Sequence, residues 1–289
     1  MKIADLFFKA IKELEEVGIR NPELEATLIL CEVLTRLTKR EWTQASLLAN
    51  LETPLRKKAL TLFQKMLSKR KARIPLAYIL GHWQFFGYKF FISPTTLTPR
   101  PESEKIVEIA LEKTKILLQE RTKIKVLDIG TGVGVLAIAY SKEAANRGFA
   151  CEVLGVDISK RALNLAFKNA LSLGFFQDRE NLFLPEKKVK LKFLRSNLLK
   201  SLPLEKFDII MANLPYLPLR LKEALMPEVS FEPQSALFAG KDGLKLYRRL
   251  RKEIPSYLHS QSQLIFECSP LQQEELKSLF EGFNLTVVS

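Results

Sequence analysis

At 289 residues the chain exceeds what one hydrophobic core comfortably serves, so two domains are expected. No apolar run reaches membrane-spanning length, and Met1-Lys2-Ile3-Ala4-Asp5 opens an amphipathic helix rather than a charged-then-apolar leader, which makes no membrane and a cytoplasmic location the expectation. Three widely spaced cysteines in apolar runs (Cys31, Cys151, Cys268) read as buried thiols, two histidines disfavour a zinc site or histidine relay, and a formal charge of +13 leaves nucleic acid open as a partner.

The front of the chain is helical. Ile3, Leu6, Phe7, Ala10, Ile11, Leu14 and Val17 recur at spacings of three and four before Gly18, a helix stop. Asn21-Pro22 reads as a cap with proline at the first helical position, and Thr53-Pro54 repeats the device, so a small bundle is expected over residues 1–72. Within it Arg56, Lys57, Lys58, Lys65, Lys69, Arg70, Lys71 and Arg73 fall in a stretch without an acid. Such a basic face fits a solvated helix, a surface that steers an acidic protein, or a phosphate-binding patch. Residues 83–92 are aromatic and β-branched around Gly87, which predicts a β-hairpin in a linker over 73–96, with His82 as a local hydrogen-bonding group.

Residues 97–289 carry the pattern of a parallel α/β sheet. The apolar run Ile124–Ile129 leads into Gly130, Thr131, Gly132, Val133 and Gly134, and a helical run follows over 135–143. Glycines there let the backbone turn and approach a ligand while the next helix aims free N–H groups at it. The spacing lacks the third glycine of the dinucleotide fingerprint, which disfavours NAD. A second strand, Cys151–Asp157, ends in a carboxylate that can accept both hydroxyls of a ribose, or else cap the next helix, a role for which Ser159 competes. The polar stretch 177–188 reads as a surface loop. A third strand over 189–194 leads to Ser196-Asn197, whose amide either reads an adenine edge or sits in an ordinary turn.

The run 207–212 reads as a buried strand, so Asn213-Leu214-Pro215-Tyr216 lands at the carboxyl edge, where open α/β sheets bind ligands. Asn213 offers an acceptor oxygen, the Leu214 carbonyl a second one turned outward by Pro215, and Tyr216 a flat π face. Together they suit an NH2 group on a conjugated plane. Taken alone, the tetrapeptide also reads as a strand-terminating turn.

Glycine loop, ribose acid, adenine reader and amide clamp fall in this order at four successive strand ends, and they resemble the Rossmann-like class I S-adenosylmethionine methyltransferase fold over 97–289, with an Asn-Pro-Pro-Tyr-like motif at 213–216. A narrower resemblance lies outside them. Arg73-Ile74-Pro75-Leu76-Ala77-Tyr78-Ile79-Leu80-Gly81, Phe86-Gly87, and Leu97-Thr98-Pro99-Arg100-Pro101-Glu102-Ser103-Glu104 look like the inter-domain segment of the PrmC/HemK family. So do Phe231-Glu232-Pro233, Ala236-Leu237-Phe238-Ala239-Gly240 and Asp242-Gly243-Leu244. The resemblance implies a release factor N5-glutamine methyltransferase acting on the Gly-Gly-Gln loop of class I peptide chain release factors. S-adenosylmethionine is then the cofactor, Asn213 meets both cofactor and substrate, residues 1–72 recognise the protein substrate, and nucleic acid is not required.

Three departures from the family accompany it. Leu214 replaces the first motif proline, Asn197 stands where relatives often carry aspartate, and the chain reaches Ser289 where the fold normally turns into a last antiparallel strand. The rival reading, an N6-adenine methyltransferase, shares nearly the same clamp but also needs a groove for the nucleic-acid backbone. A third is an RNA-binding module that retains the cofactor fold without turnover.

Overall fold

The computed structural model describes residues 1–185 and 188–289. They form two compact units, Met1–Gly81 with Pro227–Phe231, and His82–Met226 with Glu232–Ser289.

The first unit contains α1 (Ile3–Glu16), α2 (Pro22–Thr38), α3 (Gln44–Leu48), α4 (Lys57–Lys71) and α5 (Leu76–Leu80). The α1 stripe of Ile3, Leu6, Phe7, Ala10 and Leu14 is buried, and α1 packs on α2 and α4. Pro22 opens α2 as expected. Thr53-Pro54 does not cap a helix. Its backbone pairs with the chain start, Ile3 N–H to the Thr53 carbonyl at 3.0 Å and Leu55 N–H to the Met1 carbonyl at 3.0 Å, which holds the segment extended and delays α4 to Lys57.

The basic face is also smaller than its sequence. Arg70 is only 4% exposed and binds Glu25 and Glu228. Lys71 pairs with Glu13 at 2.6 Å, and Arg73 donates to the Val17 and Gly18 carbonyls at 2.7 and 2.9 Å and to Glu228 at 2.9 Å. Acids distant in sequence thus neutralise the inner side of α4. Arg56, Lys57, Lys58, Lys65 and Lys69 stay exposed, without an acidic partner among the described residues.

The second unit opens with a hairpin of β1 (His82–Phe85) and β2 (Tyr88–Phe91). Its two-residue loop, Phe86-Gly87, has φ of 51° and 74°, as a primed turn demands, and the Phe86 N–H donates to Glu104 at 2.6 Å. After α6 (Glu104–Leu117) come β3 (Ile124–Ile129), α7 (Val135–Asn146), β4 (Cys151–Asp157), α8 (Lys160–Ser172), β5 (Phe176–Asp178), β6 (Asn181–Phe183) and β7 (Val189–Arg195). Then follow β8 (Ile209–Ala212), α9 (Lys245–Glu253), β9 (Gln263–Glu267), α10 (Gln273–Leu279) and β10 (Asn284–Val288).

The sheet runs β10-β9-β8-β3-β4-β7-β6-β5, parallel from β10 to β7, in keeping with the expected α/β class. Both faces are covered: α6 and α7 pack on one, while Leu127, Ile129, Ile210, Ala212 and Phe266 share the other with Tyr247 and Leu250 of α9. Apolar residues therefore run on consecutively in Val126-Leu127, Val153-Leu154 and Ile209–Ala212 of the central strands.

Two edges differ from the sequence reading. Part of the supposed loop 177–188 is the β5–β6 hairpin, added antiparallel to β7 and anchored by buried Leu182; residues 186 and 187 lie outside the described residues. At the other edge β10 pairs directly with β9 in parallel, and no antiparallel strand lies between them.

Candidate active site

The chain leaves β3 toward β4 and β7 on one side, while β8 and β9 lie on the other, so β3 and β8 flank the switch in strand order where such sheets open a crevice. Register puts Ile129 opposite Ala212 and Ile129 opposite Val156. The glycine loop, Asp157 and Asn213 therefore emerge side by side. They line a cavity of 290 Å³ together with Ser196, Asn197 and Leu214.

Loop geometry follows from its bonds. Gly130 and Thr131 donate to the Val156 carbonyl at 2.8 and 2.9 Å, which ties the loop to β4. Gly130, Gly132 and Gly134 all adopt positive φ, at 77°, 56° and 86°. A Cβ at Gly132 would meet nothing nearer than the Gly130 carbonyl at 3.9 Å, so the cavity side of the loop is open to a ligand. Val133 is instead buried, and its carbonyl accepts from Asn169 at 3.0 Å.

Asp157 is not the helix cap. Ser159 holds that place, its hydroxyl accepting from the Ala162 N–H at 3.2 Å. The Asp157 carboxylate accepts the Gly132 N–H on one oxygen at 2.9 Å and the Ser159 N–H on the other at 2.7 Å. Each oxygen keeps a lone pair for a further donor. Burial raises its pKa, against the lowering effect of those N–H groups. Asn197 is exposed at the cavity edge and its oxygen accepts from Arg249 at 3.1 Å, which leaves its NH2 group for an acceptor.

A carboxylate that the motif reading passed over lies beneath the loop. Asp128 is fully buried, accepts from the Thr131 hydroxyl at 2.6 Å and the Ala137 N–H at 3.2 Å, and keeps its other oxygen without a partner. Desolvation pushes its pKa up to about 7.

At the end of β8 the Asn213 NH2 group donates to the Ser103 hydroxyl at 2.8 Å, and Ser103 in turn donates to Glu267 at 2.5 Å. Tyr216 donates its hydroxyl to the other Glu267 oxygen at 3.1 Å. Burial, with the nearby Glu267 charge, raises the Tyr216 pKa, so the phenol stays a donor. The Tyr216 carbonyl accepts from Gln272 at 2.9 Å. Among the described residues no donor takes the Asn213 side-chain oxygen or the Leu214 carbonyl. Gln272 and Glu267 had no signal in the sequence, and Ser103 only its place in a family-like string, because each reaches the motif from a distant element.

Two of the quoted strings prove to be physically joined. Arg100 binds both oxygens of Glu232 at 2.9 Å, and Glu232 is 4% exposed. The half-buried cation at 100 and the buried acid at 232 are thus one ion pair rather than separate marks.

A family model for the PrmC N-terminal domain matches residues 5–81, and one for ribosomal protein L11 methyltransferase (PrmA) matches residues 89–229. The release factor glutamine methyltransferase of Fusobacterium nucleatum subsp. nucleatum is 32% identical over 288 residues, covering 99% of this chain and 74% of that relative. The release factor glutamine methyltransferase of Vibrio cholerae is 32% identical over 259 residues, covering 89% and 81%. Among solved structures, a SAM-dependent methyltransferase from Agrobacterium tumefaciens aligns over 72% of this chain and 60% of its own, at 16% identity and a TM-score of 0.44.

Proposed function

This chain belongs to the family of release factor glutamine methyltransferases, and on that premise we infer that it methylates the side-chain amide nitrogen of a release factor glutamine with S-adenosylmethionine. The observation that carries the reading is the pair of uncommitted acceptors, Asn213 Oδ1 and the Leu214 carbonyl, on the same cavity as the glycine loop and Asp157.

The residues fit the cofactor. The open side of Gly132 receives its amino-acid portion, the spare lone pairs of Asp157 suit two ribose hydroxyls, and the Asn197 NH2 group suits an adenine nitrogen. When bound, S-adenosylmethionine supplies a methyl group on a sulfonium, an electrophile that requires a lone pair in line with the breaking S–C bond.

An amide nitrogen is a poor nucleophile because its lone pair is shared with the carbonyl. Acceptance of both N–H bonds by Asn213 and Leu214 favours positive charge on that nitrogen and holds its lone pair toward the methyl. Loss of one such acceptor is expected to cost on the order of 10²–10³ in rate, by analogy with preorganised oxyanion donors. Tyr216 packs on the amide plane. No strong base is needed, since the nitrogen becomes acidic once methylated and can then lose its proton.

The acidic-partner reading of the basic face fits a protein substrate: we propose that the helical unit captures the release factor, with Arg56, Lys57, Lys58, Lys65 and Lys69 supplying long-range attraction. On the same reading the Gly-Gly-Gln loop of class I release factors is the target, nucleic acid is not required, and the enzyme works in the cytoplasm. No helix is long and apolar enough to cross a membrane among the described residues. The adenine rival is not favoured, because relatives over nearly the whole chain are named for the glutamine reaction. Incubation with a release factor and labelled cofactor, followed by mass spectrometry, should place one methyl on the loop glutamine. Asn213→Ala should slow transfer by about 10²–10³ with cofactor affinity kept; label that appears only in nucleic acid would overturn the assignment.

A further inference from the structure

Resting on the methyl-transfer reading, we propose that Glu267 and Ser103 form a positioning relay that decides which way the Asn213 carboxamide faces. Ser103 and Glu267 are each 2% exposed, and neither touches the cavity. Glu267 closes β9, one strand over from β8, and Ser103 ends the short 3-10 turn Pro101–Ser103 that leads into α6.

The logic is one of donors. An ionised carboxylate only accepts, so Glu267 takes the single Ser103 proton at 2.5 Å. The Ser103 oxygen then has lone pairs alone to offer, and the Asn213 group that can meet it is the NH2, at 2.8 Å, which the Glu267 carboxylate also draws directly. Oδ1 must point the other way, where no described residue donates to it. The second Glu267 oxygen holds Tyr216, so one carboxylate fixes both flanks of the tetrapeptide.

A neutral amide in place of this carboxylate, as in Glu267→Gln, admits a second arrangement in which the chain of donors is reversed. Its NH2 group donates to the Ser103 oxygen, the Ser103 proton turns to Asn213, and the Asn213 carboxamide is stable with its own NH2 facing the substrate. Two NH2 groups then oppose each other, and the acceptor is lost. The shape is unchanged; only the hydrogen-bond polarity differs.

The test uses the full-length protein, steady-state kinetics on a release factor, and calorimetry with S-adenosylhomocysteine. Glu267→Gln and Ser103→Ala should each lower kcat by about 10–100-fold, the worth of a charge-assisted hydrogen bond, with KM for the release factor and cofactor affinity within about twofold of wild type. Ser103→Thr, which keeps the hydroxyl, should restore most of kcat. The double variant should be no slower than the worse single one, because both act through the same amide. In ¹⁵N-labelled protein, the Asn213 side-chain NH2 signals, assigned by their loss in Asn213→Ala, should be protected from solvent exchange in wild type and less protected in Ser103→Ala. Wild-type kcat in Glu267→Gln, multiplying losses in the double variant, or unprotected Asn213 in wild type would each overturn the relay. Absence of transfer by the wild type itself would instead sink the functional reading, and the exchange measurement judges the relay in that case too.

Discussion

Asp128→Asn should stabilise the cofactor-free protein at alkaline pH and lose that advantage in acid. Burial raises the Asp128 pKa to about 7 from an ordinary 3.8, while the Thr131 hydroxyl and Ala137 N–H pull it down and Asp157 adds a smaller like-charge push. A carboxyl whose pKa is raised by folding binds its proton more tightly in the native state. Its contribution to stability is intact below about pH 4, falls as the pH climbs through the window between the two values, and levels off above about pH 7. At 1.36 kcal/mol per unit, the full fall is about 4 kcal/mol, and about 3 kcal/mol of it lies between pH 5 and pH 8. No solvent discount applies, because Asp128 is 0% exposed, and the unpartnered oxygen is where the cost resides. The isosteric amide keeps one oxygen for Thr131 and Ala137 and sheds the charge. Urea unfolding of both proteins at pH 5 and pH 8, without cofactor, should show the variant's relative stability rising by about 2–3 kcal/mol toward pH 8. A difference that does not change with pH would refute a buried, strained carboxylate at this position.

Asp157→Ala removes the acceptor of two backbone N–H groups and of the ribose, so S-adenosylhomocysteine affinity by calorimetry should fall about 10–100-fold; unchanged binding would reject the ribose role. Gly243 has φ of 87°, and a Cβ there would run into the Tyr216 carbonyl and the Gln272 amide, so Gly243→Ala should cost about 1–3 kcal/mol by denaturant titration and also slow transfer. A variant with wild-type stability and rate would show that the loop tolerates displacement. Arg70→Ala leaves Glu25 and Glu228 without their shared cation and should destabilise the protein by about 3–5 kcal/mol, read in the same titration. A loss below about 1 kcal/mol would place that cluster among ordinary surface pairs.

What the sequence made legible was local. The central strands β3, β4 and β8 show as largely apolar runs because both faces of the sheet are covered, and the residues at the strand ends mark the crevice edge: Gly130 after β3, Asp157 at β4, Asn197 beyond β7 and Asn213 after β8. The choice between ribose acid and helix cap at Asp157 needed the third dimension, where the Ser159 hydroxyl is seen to hold the cap. Thr53-Pro54 carried a helix-start signature that tertiary pairing with residues 1–3 overrode. The stretch 177–188 looked polar enough for a loop, yet one buried residue, Leu182, with backbone bonds to β7, was enough for a hairpin. Least legible was everything that orients the Asn213 amide. Ser103 lies 110 residues before Asn213, and Glu267 lies 51 residues after Tyr216, separations over which no periodicity or spacing rule operates.

The leucine at 214 shows how such distant support can replace a local restraint. A proline there would stiffen the loop by restricting the unfolded chain, an effect worth about 0.4–1 kcal/mol. Leucine gives that up and adds a backbone N–H, which a buried loop must satisfy. It is satisfied: the Leu214 backbone hydrogen-bonds to the hydroxyl of Tyr247, which itself donates to the Glu267 carbonyl at 2.5 Å. One phenol on α9 therefore clamps the residue after Asn213 to the end of β9. The bond contributes about 0.5–1.5 kcal/mol, and burial of the leucine side chain adds about 1.5–3 kcal/mol. That side chain is 3% exposed, and its Cδ2 lies 3.1 Å from where a Gly130 Cβ would sit. These contacts offset the entropy forgone, so the loop is held in place without a second proline. The same contact packs the tetrapeptide on the glycine loop, so the surface proposed to receive the cofactor and the carbonyl proposed to receive the amide share one wall.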